Sequence, residues 1–271
     1  MRSCIGVLYI AVFCGLALAS AQGSPRSSAA DAQGLPRRSA ERAESGDPDA
    51  LYRDRANLAS ARQAAAIWEM RLAANPKDFD SAWQLARAMY WLGGHGDKSV
   101  PADASAKAGR AELERGVAAG QAAAQLEPNR PEGHFWAAAN MGALAESYGV
   151  RQGLKYRGKI KTELETVLRI DPAFQEGSAD RALGRWYFKV PSLFGGSKTM
   201  SEAHLRKSLT YSPDDTASHF FLAETLFDLT RDREAVEELN KVIAAPVNPR
   251  WEPEDREFKE QAERRLRAAV R

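Results

Sequence analysis

Two stretches of the chain combine positive charge, aromatic rings and glycines in a way that suits the binding of an organic anion. The first, Gly142 to Lys159, holds four cations against one acid, and the second, Phe188 to Met200, holds Lys189 and Lys198 and no acid. Cations attract a carboxylate, aromatic rings contact an apolar body, and glycine lets the backbone approach closely. The sequence therefore predicts a site for an anionic, partly apolar ligand; ordinary solvated loops are the alternative.

No residue pattern favours catalysis or a bound metal. The four histidines form no pair at i,i+4 and no H-E-x-x-H sequence, and His134 and His219 occupy equivalent repeat positions, which favours a packing role. The run Gly195-Gly196-Ser197-Lys198 lacks the order of a phosphate-binding loop, and no Gly-x-Ser-x-Gly occurs. We therefore expect no enzymatic activity, no cofactor and no metal site.

The basic stretches lie within a repeated pattern that predicts pairs of helices. A small or apolar residue is followed four residues later by a larger one, and Pro comes 12 residues after the first in four runs and 11 in the last. The runs are Ala64–Trp68–Pro76, Gly116–Gly120–Pro128, Ile160–Leu164–Pro172, Ser201–Leu205–Pro213 and Ala235–Leu239–Pro246. Gly120 breaks the size rule. Because Pro disfavours the α conformation before it, we expect each second helix to end just ahead of its Pro.

A second pattern precedes four of these runs. It reads Trp83-x2-Ala86-Arg87-x2-Tyr90, His134-x2-Ala137-Ala138-x2-Met141, Asp180-x2-Leu183-Gly184-x2-Tyr187 and His219-x2-Leu222-Ala223-x2-Leu226. Together the two patterns resemble the tetratricopeptide repeat (TPR), W-x2-L-G-x2-Y, A-x3-F and P over about 34 residues. The resemblance implies an all-α solenoid of antiparallel helix pairs that binds other molecules, with Tyr90, Tyr187 and the repeat tryptophans in its core.

Three connections between paired helices are longer than the nine residues of the last repeat, by 17, 10 and 5 residues. All three insertions fall at the same point of the repeat, so we expect enlarged loops along one edge of the stack. The candidate ligand- or partner-binding residues of this edge are Trp136, Asn140, Arg151, Lys155, Arg157, Arg185, Trp186, Lys189, Phe194 and Lys198. Core packing between helices is the alternative for Asn140 and Trp186.

The amino terminus predicts export. Arg2, an apolar run from Ile5 to Ala19 and the small residues that follow it form a signal peptide over residues 1–21. The mature chain is then expected to begin at Gln22, in the periplasm or outside the cell. Phe13 stands before Cys14, where a lipoprotein needs a small residue, so we expect no lipid anchor.

The mature chain divides into a linker and a repeat domain. Residues 22–47, rich in Gly, Pro, Ser and Ala, predict a flexible linker, and residues 48–271 predict the repeats with a capping helix after Pro253. Of 38 basic and 36 acidic residues, only Arg2 lies in the signal peptide, so the mature chain is nearly neutral. This balance argues against nucleic-acid binding by bulk charge, and no second apolar run is long enough to span a membrane.

One family resemblance is more specific than the repeat itself. The segment from Arg181 to Lys198, which contains Val190-Pro191-Ser192-Leu193-Phe194-Gly195-Gly196, resembles the T component associated with TRAP transporters (TatT). The segments Gly133–Asn140, Arg157–Ile160 and His219–Leu226 are similar to it too. The resemblance implies a periplasmic protein that partners a transporter's solute-binding protein, with a cleft for a small organic or hydrophobic ligand, and it allows a homo-trimer. The alternative is a structural adapter that binds peptide segments of the cell envelope in its concave groove.

Overall fold

The computed structural model describes residues 46–96 and 99–269, which are helical for most of their length and contain no strand. The predicted signal peptide and residues 22–45 of the predicted linker lie outside the described residues. The α-helices are α1 Pro48–Arg53, α2 Leu58–Ala74, α3 Phe79–Gly94, α4 Ala102–Leu126, α5 Pro131–Tyr148, α6 Val150–Gly153, α7 Arg157–Ile170, α8 Phe174–Lys189, α9 Lys198–Tyr211, α10 Thr216–Asp228, α11 Asp232–Ala244 and α12 Glu252–Ala269. Short 3-10 turns lie at Leu154–Tyr156 and Ser192–Phe194.

The long helices form successive antiparallel pairs, α3 with α4, α5 with α7, α8 with α9 and α10 with α11. Helices α1 and α2 precede the first full pair, and α12 packs on α10 and α11 at the other end. The prediction of an all-α, TPR-type solenoid with a final capping helix is confirmed. Within residues 46–96 and 99–269, no helix combines the length and apolar character that a bilayer-spanning segment needs.

The prolines set the ends of the second helices, as their spacing predicts. The residues before Pro76, Pro128, Pro172 and Pro213 are the carboxyl caps of α2, α4, α7 and α9. The next helix then starts on a side-chain cap in two of the pairs. Asp78 accepts a hydrogen bond from the Ser81 amide at 3.0 Å, and Asp215 accepts one from the Ser218 amide at 2.6 Å.

Close backbone contact explains why Gly120 departs from the repeat's size rule. A Cβ added to Gly120 would lie 2.6 Å from the backbone nitrogen of Ala137 on α5. Helices α4 and α5 therefore touch through their main chains at this level, and no larger residue fits.

The insertion after Tyr90 lengthens the repeat mainly by extra turns of helix. Helix α4 begins at Ala102, well ahead of Gly116, and its first turns extend the α3–α4 pair. The segment is rich in alanine, which has the highest helix propensity. A Cβ on Gly109 would lie 2.7 Å from the Gly93 carbonyl oxygen, so the added turns also pack closely.

The two ends of the solenoid are joined by side chains. Arg55, which is 3% exposed, forms a buried ion pair with Glu254 of α12 and donates to the Arg250 carbonyl at 3.0 Å. His95, after α3, lies 2.9 Å from Glu257 on the same helix. Helix α12 therefore contacts both the last repeat and residues that flank the first full pair, Arg55 and His95.

Candidate functional site

Two cations at the end of α8 meet acids from the helices on either side. Arg185 lies 2.6 Å from Glu224 on α10 and 3.5 Å from Glu146 on α5. Lys189, one turn further along, lies 4.0 Å from the same Glu146 carboxylate. Arg265 of α12 also binds Glu224, at 2.8 Å. Lys189 has the weakest compensation of the group, because its nearest acid is shared with Arg185 and lies at the outer limit of an ion pair.

The environment of Lys189 disfavours its charge. Burial has the largest effect and the adjacent Arg185 the next, and together they lower the pKa of Lys189 to about 8. Glu146 and Glu224 act in the opposite direction. A second anion placed at this ammonium would relieve that penalty. An anionic group that binds at the end of α8 would therefore stabilise the charged form of Lys189.

Lys198 and an aromatic ring border Lys189. The ammonium of Lys198 lies 3.6 Å from the centroid of Phe188, donates to the Phe188 carbonyl at 2.8 Å and lies 3.3 Å from Asp228. The Lys189 ammonium lies 5.9 Å from the same ring. We call Arg185, Phe188, Lys189 and Lys198, with Glu146 and Glu224, the α8 cleft.

Three other predicted residues meet where the start of α7 packs against α8. The Trp186 indole donates to the Arg157 carbonyl at 2.9 Å, which fastens the start of α7 to α8. The Arg157 guanidinium lies 5.7 Å from the Phe194 ring, and Phe194 is 43% exposed. Trp186 itself is 8% exposed, so it is mainly a packing residue of this edge.

Arg151 and Lys155 lie on the same insertion as Arg157 and are exposed. The Lys155 ammonium lies over the rings of Tyr148 and Tyr156, at 5.4 and 4.9 Å from their centroids. The structure thus brings eight of the ten predicted residues together in two groups, the α8 cleft and the edge around Arg157, and places the remaining two elsewhere.

Those remaining two, Trp136 and Asn140, lie in the core, with exposed fractions of 4% and 0%. The Asn140 amide nitrogen donates to the carbonyls of Ala86 and Trp136, at 2.9 and 2.8 Å, and so ties α5 to α3. Trp136 packs on Tyr90 with 5.7 Å between ring centroids. Their position favours the packing interpretation over direct ligand contact.

Tyr90 departs from its expected place in the core, because it is 39% exposed. Desolvation of its hydroxyl has the largest effect and raises the pKa of Tyr90, and the charges of Glu146 and Glu254 raise it further. Sequence reasoning missed this exposure because the repeat pattern assigns the position to packing.

Sequence reasoning also missed the acids of the α8 cleft. Arg185 and Glu224 stand at the same position of consecutive repeats, five residues after Asp180 and His219. Since consecutive repeats stack in register, equivalent positions with opposite charges are neighbours. Comparing charges between aligned repeats would have found this pair.

The two equivalent histidines have structural partners. His219 lies 2.5 Å from a Glu238 carboxylate oxygen and 2.7 Å from the Pro213 carbonyl. His134 repeats the arrangement with Glu163 and Pro128, at 2.6 and 3.1 Å. Burial alone would raise the pKa of Glu238, but hydrogen bonds from His219 and Lys241 lower it. No group of His, Cys, Asp and Glu suited to a metal occurs within the part of the chain that the structure describes.

A separate cavity of ≈ 320 Å³ lies between the start of α10 and the segment that leads into α12. It is lined by Glu176, Ser212, Asp214, Asp215, Pro246, Val247, Asn248, Pro249, Trp251 and Asp255. None of the ten predicted residues borders it, and its acids make it unsuited to an anion. Two of those acids already have partners, because Asp215 pairs with Arg181 at 3.1 Å and Asp255 accepts from Thr216 at 2.6 Å.

Comparison with known proteins gives one family and several solved structures. The family model described as "Regulator of microtubule dynamics protein 1-3" matches residues 49–269. A thermophilic TPR protein from Thermus thermophilus, TTC0263, is similar in structure, with 20% sequence identity and a TM-score of 0.60 over 81% of this chain and 97% of that one.

Two further matches are weaker. MamA covers 77% of this chain and 95% of its own, at 11% identity and a TM-score of 0.45. A double mutant of MamA RS-1 covers 74% and 95%, at 17% identity and a TM-score of 0.46. No curated protein matched the sequence. The similarity to the Thermus protein shows that this chain has a TPR-like fold.

Proposed function

The chain belongs to the family described as regulator of microtubule dynamics protein 1-3, and we propose that it is a TPR scaffold whose α8 cleft binds an anionic ligand or an acidic segment of a partner. The observation that carries the proposal is Lys189. This ammonium is half-buried beside a second cation, its nearest carboxylate is 4.0 Å away, and an aromatic ring lies next to it. A carboxylate bound there gains a charge-assisted hydrogen bond, and an apolar body gains contact with Phe188.

The arrangement of α12 favours a compact ligand over an extended peptide. A peptide in the concave groove of a solenoid needs an open path along the first helices of the repeats. Here α12 is joined to the start of the solenoid by its ion pair with Arg55 and by the His95–Glu257 contact, and we infer that it obstructs this path. These contacts argue against the alternative function, an adapter that binds long peptide segments. They favour a compact group that binds at the end of α8.

We further propose that the chain acts outside the cytoplasm with a transporter of the TRAP type. The support is the predicted signal peptide and the resemblance of the Arg181–Lys198 segment to the TatT family. In this proposal the partner is the transporter's solute-binding protein, and the α8 cleft receives either the transported anion or an acidic surface loop. The name of the family refers to microtubule dynamics, which is the role of the proteins after which the family is called. An exported chain would act elsewhere.

A direct test measures the binding of dodecanoate, which combines a carboxylate with an apolar body, by isothermal titration calorimetry. We expect Lys189→Met to weaken binding roughly tenfold or more, because a shielded charge-assisted hydrogen bond is worth about 1.5–3 kcal/mol. Dodecyltrimethylammonium, which has a similar apolar body and the opposite charge, should bind far less tightly. Equal affinity for the two probes would contradict the proposal.

Lys207 provides a matched control for Lys189. Its ammonium also lies near an aromatic ring, 5.0 Å from the centroid of Tyr211, but it is exposed on α9 and away from the cleft. Lys207→Met should leave dodecanoate affinity unchanged. The partner is tested separately, by titrating the mature chain and the same two variants with a solute-binding protein of a TRAP-type transporter.

A further inference from the structure

A loop that projects from the edge of the solenoid carries an apolar tip. Leu193 is 86% exposed and the adjacent Phe194 is 43% exposed. The two stand in the 3-10 turn between α8 and α9, at the outer end of the third repeat. A single exposed apolar side chain is ordinary on a protein surface. Two consecutive ones at an exposed turn indicate a surface that contacts another molecule.

The tip is held firmly in this exposed position. The amides of Phe194 and Gly196 both donate to the Pro191 carbonyl, at 2.8 and 3.2 Å, and Gly195 takes a left-handed conformation with φ 102°. The base of the loop closes where the Ser197 amide donates to the Tyr187 carbonyl at 3.0 Å. Because the backbone is fixed, the two side chains cannot fold back into the core without breaking these bonds.

The insertion next to this loop carries four cations. Trp186 fastens the insertion to α8, and the cations are Arg151, Lys155, Arg157 and Lys159. All four are exposed, and none forms an ion pair with any residue that the structure describes. Arg157 contacts the tip directly, 5.7 Å from the Phe194 ring. The edge is therefore positive beside an apolar projection, although the chain as a whole is nearly neutral.

We propose that this edge docks on the surface of an anionic lipid bilayer, with Leu193 and Phe194 inserted at the level of the headgroups. An aromatic and an aliphatic side chain enter the boundary between headgroups and acyl chains, while the cations around them contact lipid phosphates. Docking of this kind would hold the α8 cleft, which is built on the helix that leads into this loop, close to the membrane.

The shape of the edge favours a bilayer over an acidic protein. Leu193 is 86% exposed in a tight 3-10 turn, so a protein partner would need a pocket that matches it, whereas a bilayer accepts an apolar side chain without one. The unpaired cations also stand on long, exposed side chains that suit a diffuse layer of headgroups more than a fixed set of acceptors. The inference is independent of what binds in the α8 cleft.

Vesicle co-sedimentation tests the proposal with residues 22–271, which include every described residue and omit the apolar amino-terminal run. We expect binding to phosphatidylcholine vesicles that contain phosphatidylglycerol, little binding to phosphatidylcholine alone, and a loss of binding at high salt. Leu193→Ser with Phe194→Ser should reduce the partition coefficient roughly tenfold or more, and so should changing Arg151, Lys155, Arg157 and Lys159 together to Gln.

Two controls separate this edge from general surface properties. Ile243→Ser removes an apolar residue that is 37% exposed on α11, and Arg62→Gln with Lys77→Gln removes two exposed cations near the first repeat. Both controls should bind vesicles like the parent chain. If the edge variants bind as well as the controls, or if the parent chain ignores phosphatidylglycerol, the proposal is wrong.

A fluorescent label distinguishes insertion from simple charge attraction. Both natural cysteines, Cys4 and Cys14, precede residue 22, so Leu193→Cys gives a single labelling site in the same chain. An environment-sensitive dye at position 193 should shift its emission to the blue on addition of anionic vesicles, and the same dye at Ile243→Cys should not. No shift at position 193 would show that the tip does not insert and would overturn the proposal. An equal shift on adding polyglutamate would assign the edge to an acidic protein surface and overturn it too.

Discussion

His219 on α10 and Glu238 on α11 form a buried contact of 2.5 Å that joins the two helices of the last repeat. The same geometry occurs two repeats earlier, where His134 lies 2.6 Å from Glu163. In both repeats the other ring nitrogen of the histidine lies against the carbonyl of the proline that precedes the helix, Pro213 or Pro128. The histidine thus replaces the tryptophan of the TPR pattern with a polar connection between helix, turn and partner helix.

Removing one of these histidines should cost stability according to its burial. His219→Ala leaves Glu238, which is 5% exposed, with a single cationic partner, so we expect a loss of about 3 kcal/mol. His134→Ala should cost about 1 kcal/mol, because the side chains of that pair are 13% and 19% exposed. Urea denaturation followed by circular dichroism measures both, and equal losses for the two variants would contradict this account of the pairs.

The contact between α4 and α5 predicts that replacing glycine with alanine changes the stability in opposite directions at Gly120 and Gly142. Gly120→Ala places a Cβ 2.6 Å from a backbone nitrogen, so the helices must separate, and we expect a loss of about 1–3 kcal/mol. Gly142→Ala, in the open interior of α5, has nothing within 4 Å of the added carbon and should gain about 0.5–1 kcal/mol from helix propensity. Thermal unfolding of the two variants checks the prediction, which fails if both change the midpoint in the same direction.

The junction of the two solenoid ends should weaken as the pH rises. Burial alone would lower the pKa of His95, but its bonds to Glu257 and to the Trp91 carbonyl raise it above 6.5. A raised pKa in the folded state means that the stabilisation is fully present below pH 6.5 and is lost as the pH rises through the folded value. The pair is partly exposed, so we expect less than about 1 kcal/mol.

A His95→Gln variant isolates this effect. The unfolding free energy of the parent chain should fall relative to that of the variant between pH 6 and pH 9 (about three units that cover the titration). Hydrogen exchange at the amino-terminal end of α12 should rise over the same interval. A difference between the two chains that is independent of pH would show that His95 does not contribute through its charge.

Local pattern predicted the helix ends well, because the cause of each end is local. Pro fixes the residue before it, and Asn75, Glu127, Asp171 and Ser212 are all carboxyl caps. The path of the chain inside the first insertion was harder to predict. An Ala-rich sequence is compatible with either a loop or an extended helix until its packing partner is known. In the structure the added helix packs on α3 through a main-chain contact between Gly109 and Gly93.

The candidate site was only partly predictable, because its geometry depends on residues far apart in the chain. Lys189 and Lys198 were found from local charge, but Glu146 and Glu224, which determine the charge balance around them, lie on other repeats. The pair of Arg55 and Glu254 joins residues 199 positions apart, and no spacing rule within one repeat predicts it. Asn140 has a polar side chain and a repeat position that fit either a ligand contact or a helix connection, and only its carbonyl partners distinguish the two.

The central claim, that Lys189 binds the anionic group of a ligand, is tested most directly by the pH dependence of dodecanoate affinity. Because the pKa of Lys189 is about 8 in the free protein, the parent chain should bind progressively more weakly as the pH rises above this value. In Lys189→Arg, whose guanidinium stays charged, affinity should remain constant from about pH 7 to pH 10. A parent chain whose affinity does not change over this interval, or a Lys189→Arg variant that loses affinity in the same way, would contradict the account.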